Sequence, residues 1–269
     1  MRAALAYEWV RIRTIRSTWW LTGLAVALGV GISTLFSWAI HHDFSQSGVS
    51  QSDLDGLGPA VVTQLAASGQ IPSVVCFVLA IVGIFAWGHE YRHGMIRASL
   101  TALNSRSALW FAKYVVVGLW VAAVAFVTLV LSGLVGVLYL HSYLTVFTGE
   151  TWSIIGREVL YGVLLTWLAM AFTSVTRSQA FALDTIFLWP LLIESLIHVF
   201  FLLVPGLRDH TEILRFLPFG AANRMVDVLS DATSTFGDPL SPLGGTLVFG
   251  TLALVLMAAS YALFEKRDA

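Results

Sequence analysis

Residues 109–140 read LWFAKYVVVGLWVAAVAFVTLVLSGLVGVLYL, a run in which Lys113 carries the one charged side chain. A helix needs about 17–25 mostly apolar residues to cross a bilayer, so this run is long enough to span a membrane. Five further stretches are also apolar enough to cross, although the fourth of the six is shorter. The predicted spans cover residues 19–40, 71–88, 109–140, 158–175, 180–204 and 243–264. The sequence therefore predicts an all-α membrane protein with six transmembrane helices, formed as a single domain over residues 1–269.

The composition also favours a membrane protein. Of the 269 residues, 57% are apolar and 12% are charged, whereas a soluble domain carries about 25% charged residues. The net charge of −1 provides no basic field that would attract a nucleic acid. The chain has two lysines, and neither precedes a Ser or Thr as a Walker A nucleotide-binding loop requires. We therefore expect a chain that binds no nucleic acid and is not itself an ATP-hydrolysing enzyme.

The distribution of arginine and lysine predicts the orientation, because cytoplasmic segments of membrane proteins are enriched in both. If the N-terminus is inside, eleven of these residues lie on the inner side and four on the outer side. The outer four are Arg157, Arg208, Arg215 and Arg224. Both termini should then face the cytoplasm of a cell whose plasma membrane holds the chain. Residues 205–241 would form an extracellular loop, with a short helix after Pro218 on which Met225, Val228 and Leu229 share a face.

The first 18 residues have helical periodicity and precede the first span. Leu5, Trp9 and Ile12 fall on one apolar stripe, while Arg11 and Arg13 lie off it. Such a helix is expected to lie in the headgroup plane with its arginines on anionic lipid. The alternative is a basic flank that serves orientation only. The residues assigned to this interfacial helix are Glu8, Trp9, Arg11, Arg13 and Arg16.

Residues 89–97 read HEYRHGMIR and admit two interpretations. In the first, His89 and His93 lie one helical turn apart and hold zinc, with Glu90 as the general base of an intramembrane metalloprotease. A third ligand would be needed, and Asp184 lies at a compatible depth. Arg92 argues against zinc, because its cation would lie beside the metal.

In the second interpretation, the same residues form a bend at the inner face. Gly94 allows the chain to turn as it leaves the second span, and an apolar stripe follows at Ile96, Leu100 and Leu103. Arg97 lies off that stripe, so a short amphipathic helix would lie parallel to the membrane and present charges to a partner. A solvated loop whose arginines serve orientation is the simpler alternative.

Three segments resemble a known family, the permease subunits of type 2 ABC exporters, especially those of actinobacteria. Residues 8–20 (EWVRIRTIRSTWW) resemble the start of many such permeases, and residues 90–97 (EYRHGMIR) resemble the segment after their second span. Arg106 and Lys113 continue that pattern, and residues 217–222 (LPFGAA) resemble the family's outer segment before the last span. With the six-span layout, the resemblance extends over nearly the whole chain.

The resemblance implies an exporter that works by alternating access. Two permeases, identical or homologous, would pair in the bilayer, and a separate ATPase carrying ATP and magnesium would bind beneath each, so this chain itself would hold no cofactor or metal. The bend after the second span would dock on the ATPase, and ion pairs of Glu90, Arg92 and Arg97 would tie it to the interfacial helix and to the ATPase. The residues assigned to coupling are Glu90, Arg92, Gly94, Ile96, Arg97, Leu100 and Arg106. Aromatic, weakly charged spans favour an amphiphilic substrate such as a drug, a peptide antibiotic or a lipid. A non-transporting membrane scaffold is a further alternative.

The fifth predicted span carries three ionisable residues, Asp184, Glu194 and His198. Ionisable groups are costly within a bilayer and should face protein or a cavity. Glu194 and His198 are four residues apart and can satisfy each other on one helix face; the alternative is that they line a substrate pathway. Pro190 should kink this span.

The first predicted span carries a stripe of small residues. Gly23, Ala27 and Gly31 recur every four residues and make one helix face on which a second helix can approach closely. In type 2 exporters the seam between the two permeases lies near spans one and five, so the resemblance suggests that this stripe lies there. Packing within one subunit is equally compatible with the pattern.

Overall fold

The computed structural model describes residues 1–47, 74–103, 105–226 and 240–266, and those residues are almost all helical. The six-span, all-α prediction is confirmed: six helices in the described part are long and apolar enough to cross a membrane. We number the α-helices α1 to α10 in chain order. Their bounds are Arg2–Thr14, Arg16–Ser47, Val74–Arg92, Ile96–Leu103, Arg106–Leu140, Gly149–Thr176, Gln179–Leu188, Glu194–Leu203, Pro218–Val226 and Pro242–Lys266.

Among the described residues the longest helix is α5, which contains the apolar run 109–140. Its 35 residues make it about 52 Å long at 1.5 Å per residue, which exceeds the roughly 30 Å hydrocarbon core of a bilayer. The side chain of Ser105 caps its start by accepting a hydrogen bond from the Ala108 N–H at 3.2 Å. The helix therefore extends beyond the apolar layer, and its charged residues Arg106 and Lys113 lie near that start.

Two spans differ from the predicted segments. The helix that contains predicted span 158–175 begins at Gly149, where the Thr148 hydroxyl accepts a hydrogen bond from the Thr151 N–H at 3.3 Å. The fifth span is divided into α7 and α8 by a π-helical turn at Trp189–Ile193, with Pro190 inside it. Proline has no N–H to donate, which explains the irregular backbone at that point.

The bundle is arranged around α3 and α6, the two most buried spans. We call the end that carries α1 and α4 the proximal end, where the core contains Trp87, Tyr114 and Phe264. The opposite, distal end carries a 3₁₀ helix at Pro205–Phe216 followed by α9. The expected helix after Pro218 is present as α9, and Met225 is buried on it, whereas Val228 and Leu229 lie outside the described residues.

Small residues on α2 let it approach α5 closely, but they are not the predicted ones. Ala25 and Ser33 are fully buried, and the Ser33 hydroxyl donates to the Ser132 carbonyl at 2.9 Å. Gly29 lies on the same stripe against Thr128. The predicted stripe is displaced from this one by two residues, which is about 200° around a helix of 3.6 residues per turn. Gly23, Ala27 and Gly31 are all exposed. Of the two uses that the sequence left open for this stripe, packing within the subunit is therefore wrong.

We expect Gly29→Leu to destabilise the protein, because a side chain there would collide with Thr128 on α5 and Val75 on α3. Overpacking of this kind costs about 1–3 kcal/mol, which thermal unfolding of the protein in nanodiscs would detect. Gly156→Leu on α6 is the matched control, since that exposed helical glycine has nothing within 4 Å of a Cβ and lies outside the expected seam between permeases. Equal destabilisation by both substitutions would contradict the close contact at Gly29.

Candidate functional site

Four charged side chains meet where α1, α3 and α5 come together at the proximal end, and we call them the charge cluster. Helix α1 supplies Glu8 and Arg11, which are one turn apart on the same face. Helix α3 supplies Glu90 near its C-terminal end, and α5 supplies Lys113 two turns after its start. Two carboxylates and two cations therefore converge from three elements that are distant in the sequence.

The cations and carboxylates of the charge cluster alternate in space. The Nζ atom of Lys113 lies 2.8 Å from Glu8 Oε1 and 2.9 Å from Glu90 Oε1. A guanidinium nitrogen of Arg11 lies 2.6 Å from Glu90 Oε1 and 3.2 Å from Glu8 Oε2. Each cation thus contacts both carboxylates, so opposite charges compensate one another within the cluster.

The charge cluster is almost completely shielded from solvent. The exposed fractions are 0% for Glu90 and Lys113, 3% for Glu8 and 10% for Arg11. The Ala86 carbonyl accepts further hydrogen bonds from Arg11 at 2.9 Å and from Lys113 at 3.4 Å. Removing one member of a buried ion pair costs more than the pair contributes, because it leaves an uncompensated buried charge. The cluster therefore fixes how the three helices meet.

Helix α4 is joined to the charge cluster through its buried face. The Ser99 hydroxyl lies 3.0 Å from the Tyr7 hydroxyl on α1 and 3.5 Å from Glu90 Oε1. Ile96 is buried at the start of α4, after a turn in which Gly94 adopts a φ of 63°. A left-handed conformation of this kind favours glycine, so the bend before α4 depends on that residue.

The residues assigned to coupling do not form one exposed surface. Arg92 and Arg97 are exposed beside the bend, Leu100 is half-buried, and Glu90 is in the charge cluster. Arg106 differs from the expectation of a role at a partner surface, because its guanidinium donates to the Phe264 and Glu265 carbonyls at the end of α10, each at 3.3 Å. It compensates the negative end of that helix.

Helix α1 presents only part of the expected faces. Its buried residues are Ala4, Glu8 and Ile12, so Ile12 of the predicted apolar stripe packs within the protein, whereas Trp9 is exposed, as a contact with lipid requires. The prediction that Arg11 lies on lipid is wrong, because burial against Glu90 brings it into the charge cluster. Arg13 and Arg16 are exposed, as a contact with lipid headgroups would require. Helical periodicity identified the helix, but the attraction between opposite charges selected the buried face.

The geometry does not favour the zinc interpretation of His89 and His93. Glu90 is turned into the charge cluster, the His89 ring stacks on Phe85 at 4.8 Å, and the two imidazole rings are 6.4 Å apart. The proposed third ligand, Asp184, is exposed on α7. Across the ranges that the structure describes, no group of three or more His, Cys, Asp or Glu residues could hold a metal ion.

In the fifth span, Glu194 and His198 make other hydrogen bonds than the predicted one between their side chains. The Glu194 carboxylate accepts hydrogen bonds from the N–H groups of Phe219 at 2.7 Å and Gly220 at 2.8 Å. His198 Nδ1 instead lies 2.7 Å from the main-chain carbonyl of Glu194. The prediction that these two side chains satisfy each other is therefore wrong: the carboxylate binds the start of α9.

Sequence reasoning missed a contact between the α6–α7 turn and the end of α3. Arg177 adopts a φ of 55°, and its guanidinium lies 5.7 Å from the ring of Tyr91. Gln179, the first residue of α7, packs directly on Gly88. The sequence carries no local signal for this contact, whereas Lys113 within an apolar run was a signal for the charge cluster.

The chain matches a known protein family. Residues 4–201 match the family model described as "ABC-2 family transporter protein", which is more than half of the 269-residue chain. The matched range extends from within α1 to within α8 and includes every member of the charge cluster. No match to a curated protein was found.

We expect Lys113→Met to lower the free energy of unfolding by about 3–5 kcal/mol, because two buried carboxylates would then share one cation. Adding Glu90→Gln should restore part of that loss, since the remaining Glu8 and Arg11 are balanced. Thermal unfolding in nanodiscs would measure both. Arg92→Gln is the control, because an exposed substitution stays within about 0.5 kcal/mol. If Lys113→Met and Arg92→Gln had equal effects, the cluster would not organise this end.

Proposed function

The chain belongs to the ABC-2 transporter family, and from that premise we propose that it is the permease subunit of an exporter driven by a separate ATPase. The observation that carries the proposal is the charge cluster, which joins α1, α3 and α5 and holds α4 beside them. A partner that moves α4 would thereby move the central span α3.

The exposed residues beside and on α4 supply the proposed ATPase-binding surface. Arg92 and Arg97 are exposed, and Met95 between them is 45% exposed. The opposite face of α4 is held by Ile96 and Ser99. The exposed face of α4 therefore offers charged and apolar groups to a partner. Because the opposite face is anchored in the bundle, a force applied by that partner would move the helix rather than bend it.

ATP hydrolysis is assigned to the partner, and this chain serves as a moving part and not as an enzyme. Neither lysine occurs in a nucleotide-binding loop, and Lys113 is fully buried in the charge cluster. ATP and its magnesium ion would therefore bind the ATPase alone. Closure of two ATPases around nucleotide would rock the spans through α4 and alternate access between the two sides of the membrane.

The proposed orientation places the proximal end and both termini in the cytoplasm of a cell with the chain in its plasma membrane. The excess of arginine and lysine on that side supports this orientation. Substrate would enter from the proximal side or the bilayer and leave at the distal end. Apolar and aromatic span surfaces favour an amphiphilic substrate, of the class that includes hydrophobic drugs, peptide antibiotics and lipids.

The second permease is proposed to pack on the face of spans one and five. Gly23, Ala27 and Gly31 are exposed on α2, and α7–α8 form the least buried of the six spans. Helices α2 and α7 both contact α3. Small residues allow backbones to approach closely in a bilayer, where van der Waals packing drives association.

We expect Arg97→Glu to weaken binding of the ATPase subunit that co-purifies with the parent chain by about fivefold or more, the loss of more than 1 kcal/mol found at important interface residues. Quantitative pulldown and ATPase assays of the purified complex would measure this loss. Arg208→Glu is the matched control, because it makes the same charge reversal at an exposed distal position. A parent chain that retains no ATPase would overturn the proposed function.

The proposed dimer seam predicts disulfide cross-linking in membranes. With Cys76→Ala as the background, Ala27→Cys should form a covalent dimer under mild oxidation, because the residue lies on the exposed stripe of α2. Ala25→Cys should not form one, since that position is fully buried against the subunit's own helices. Equal cross-linking of the two variants, or none from Ala27→Cys, would place the seam elsewhere.

A further inference from the structure

Glu194 is a buried carboxylate at membrane depth. It is the first residue of the ten-residue α8, so about 15 Å of helix separates it from the distal end of α8. Its exposed fraction is 5%. A carboxylate so placed is costly unless hydrogen-bond donors surround it, and the donors here are the main-chain N–H groups of Phe219 and Gly220.

The start of α9 has a matching requirement. The first N–H groups of a helix have no acceptor within the helix, and in hydrocarbon no water replaces the missing partner. Glu194 accepts from two of these groups, and the Leu217 carbonyl accepts from the Ala221 N–H at 2.7 Å. A negative charge at this end of a helix is also favoured by the helix dipole. The carboxylate and the buried helix start therefore satisfy each other.

Holding α9 in this position inserts Phe219 into the distal core. The Phe219 ring lies 6.3 Å from that of Phe77 on α3 and 5.8 Å from that of Phe249 on α10. The Phe249 ring in turn lies 5.8 Å from that of Tyr161 on α6. All four rings are buried. The distal space between α3, α6 and α10 is therefore filled by aromatic side chains.

Helix α10 also fits closely against α9. Gly245 packs directly on the Ala221 carbonyl, so that a Cβ at position 245 would collide with the α9 backbone. Met225 and Val226 at the other end of α9 are buried as well. The helix is thus inserted among the spans and does not merely rest on their surface.

We infer that Glu194 is a positioning residue, whose carboxylate holds α9 in the distal end of the bundle so that Phe219 closes that end. This inference rests on the proposed function, because it makes detachment of α9 the step that opens the exit for substrate. Glu194 directly follows the π-helical turn, and its own N–H bonds the Trp189 carbonyl. A change in that turn would therefore move the carboxylate and α9 together.

The test measures exposure of α9 in proteoliposomes that contain the full-length chain. On a Cys76→Ala background, Ala222→Cys places a thiol at a fully buried position of α9, and Ala112→Cys places one at a fully buried position of α5 near the proximal end. A water-soluble maleimide then reports how often each site opens. Glu194→Gln should raise labelling through Ala222→Cys by about tenfold or more, the factor that corresponds to 1.4 kcal/mol, and leave labelling through Ala112→Cys unchanged.

Two further variants make the readout specific. Glu194→Asp retains a carboxylate on a shorter side chain, so its labelling should lie between those of the parent and Glu194→Gln. Asp184→Asn neutralises an exposed carboxylate in the same span and should have no effect.

Unchanged labelling of α9 in Glu194→Gln would overturn the inference. Equal acceleration at both thiols would also overturn it, because that result describes a general loss of stability. The assay contains no ATPase or nucleotide, so its outcome is separate from the pulldown that tests the proposed function.

Discussion

Four buried charges determine how the proximal half of this protein is built. Lys113 and Arg11 each contact both Glu8 and Glu90, in a site where the cost of removing charge from water is offset only if every member has its partners. Apolar packing alone would allow α1 to rotate or slide on the bundle. The charge cluster removes that freedom, because ion pairs require specific distances and directions that hydrophobic contact does not.

The distal half uses a carboxylate for a different purpose. Glu194 is stabilised by backbone donors at the start of α9. The two ends thus solve the same problem, a buried anion, with different partners. The proximal solution joins secondary-structure elements through side chains, whereas the distal one makes the insertion of a short helix depend on a single residue.

The fold was largely predictable, and the face that each helix buries was not. Apolar runs within or above the length that a helix needs to cross a bilayer identified the spans. The bend at Gly94 followed from the residue type. The sequence left two uses open for the stripe of Gly23, Ala27 and Gly31, because the stripe that packs within the subunit, Ala25, Gly29 and Ser33, has the same four-residue spacing. The spacing of small residues along one helix does not indicate which of its faces another helix contacts.

The candidate site shows the same limit. The H-E-x-x-H spacing and the family resemblance singled out Glu90, and its place in an apolar span singled out Glu194. The resemblance implied ion pairs between the bend and the interfacial helix but named no partner residue, because the partners of both carboxylates lie far along the chain. Glu8 to Lys113 and Glu194 to Phe219 are contacts created by the three-dimensional fold. A helical-periodicity argument therefore paired Glu194 with its sequence neighbour His198, where the structure pairs it with a helix that follows a long connection.

Arg106 has a mechanical consequence for the proximal end. By donating to the last carbonyls of α10, it fastens the final span to the residues immediately after α4, while the charge cluster fastens α1 and α3 on the other side. A force applied to α4 is therefore transmitted to four helices, α1, α3, α5 and α10. These connections favour tilting of the bundle as a stiff unit. A displacement of α4 would then be transmitted to the spans and would cause little bending at the proximal end itself.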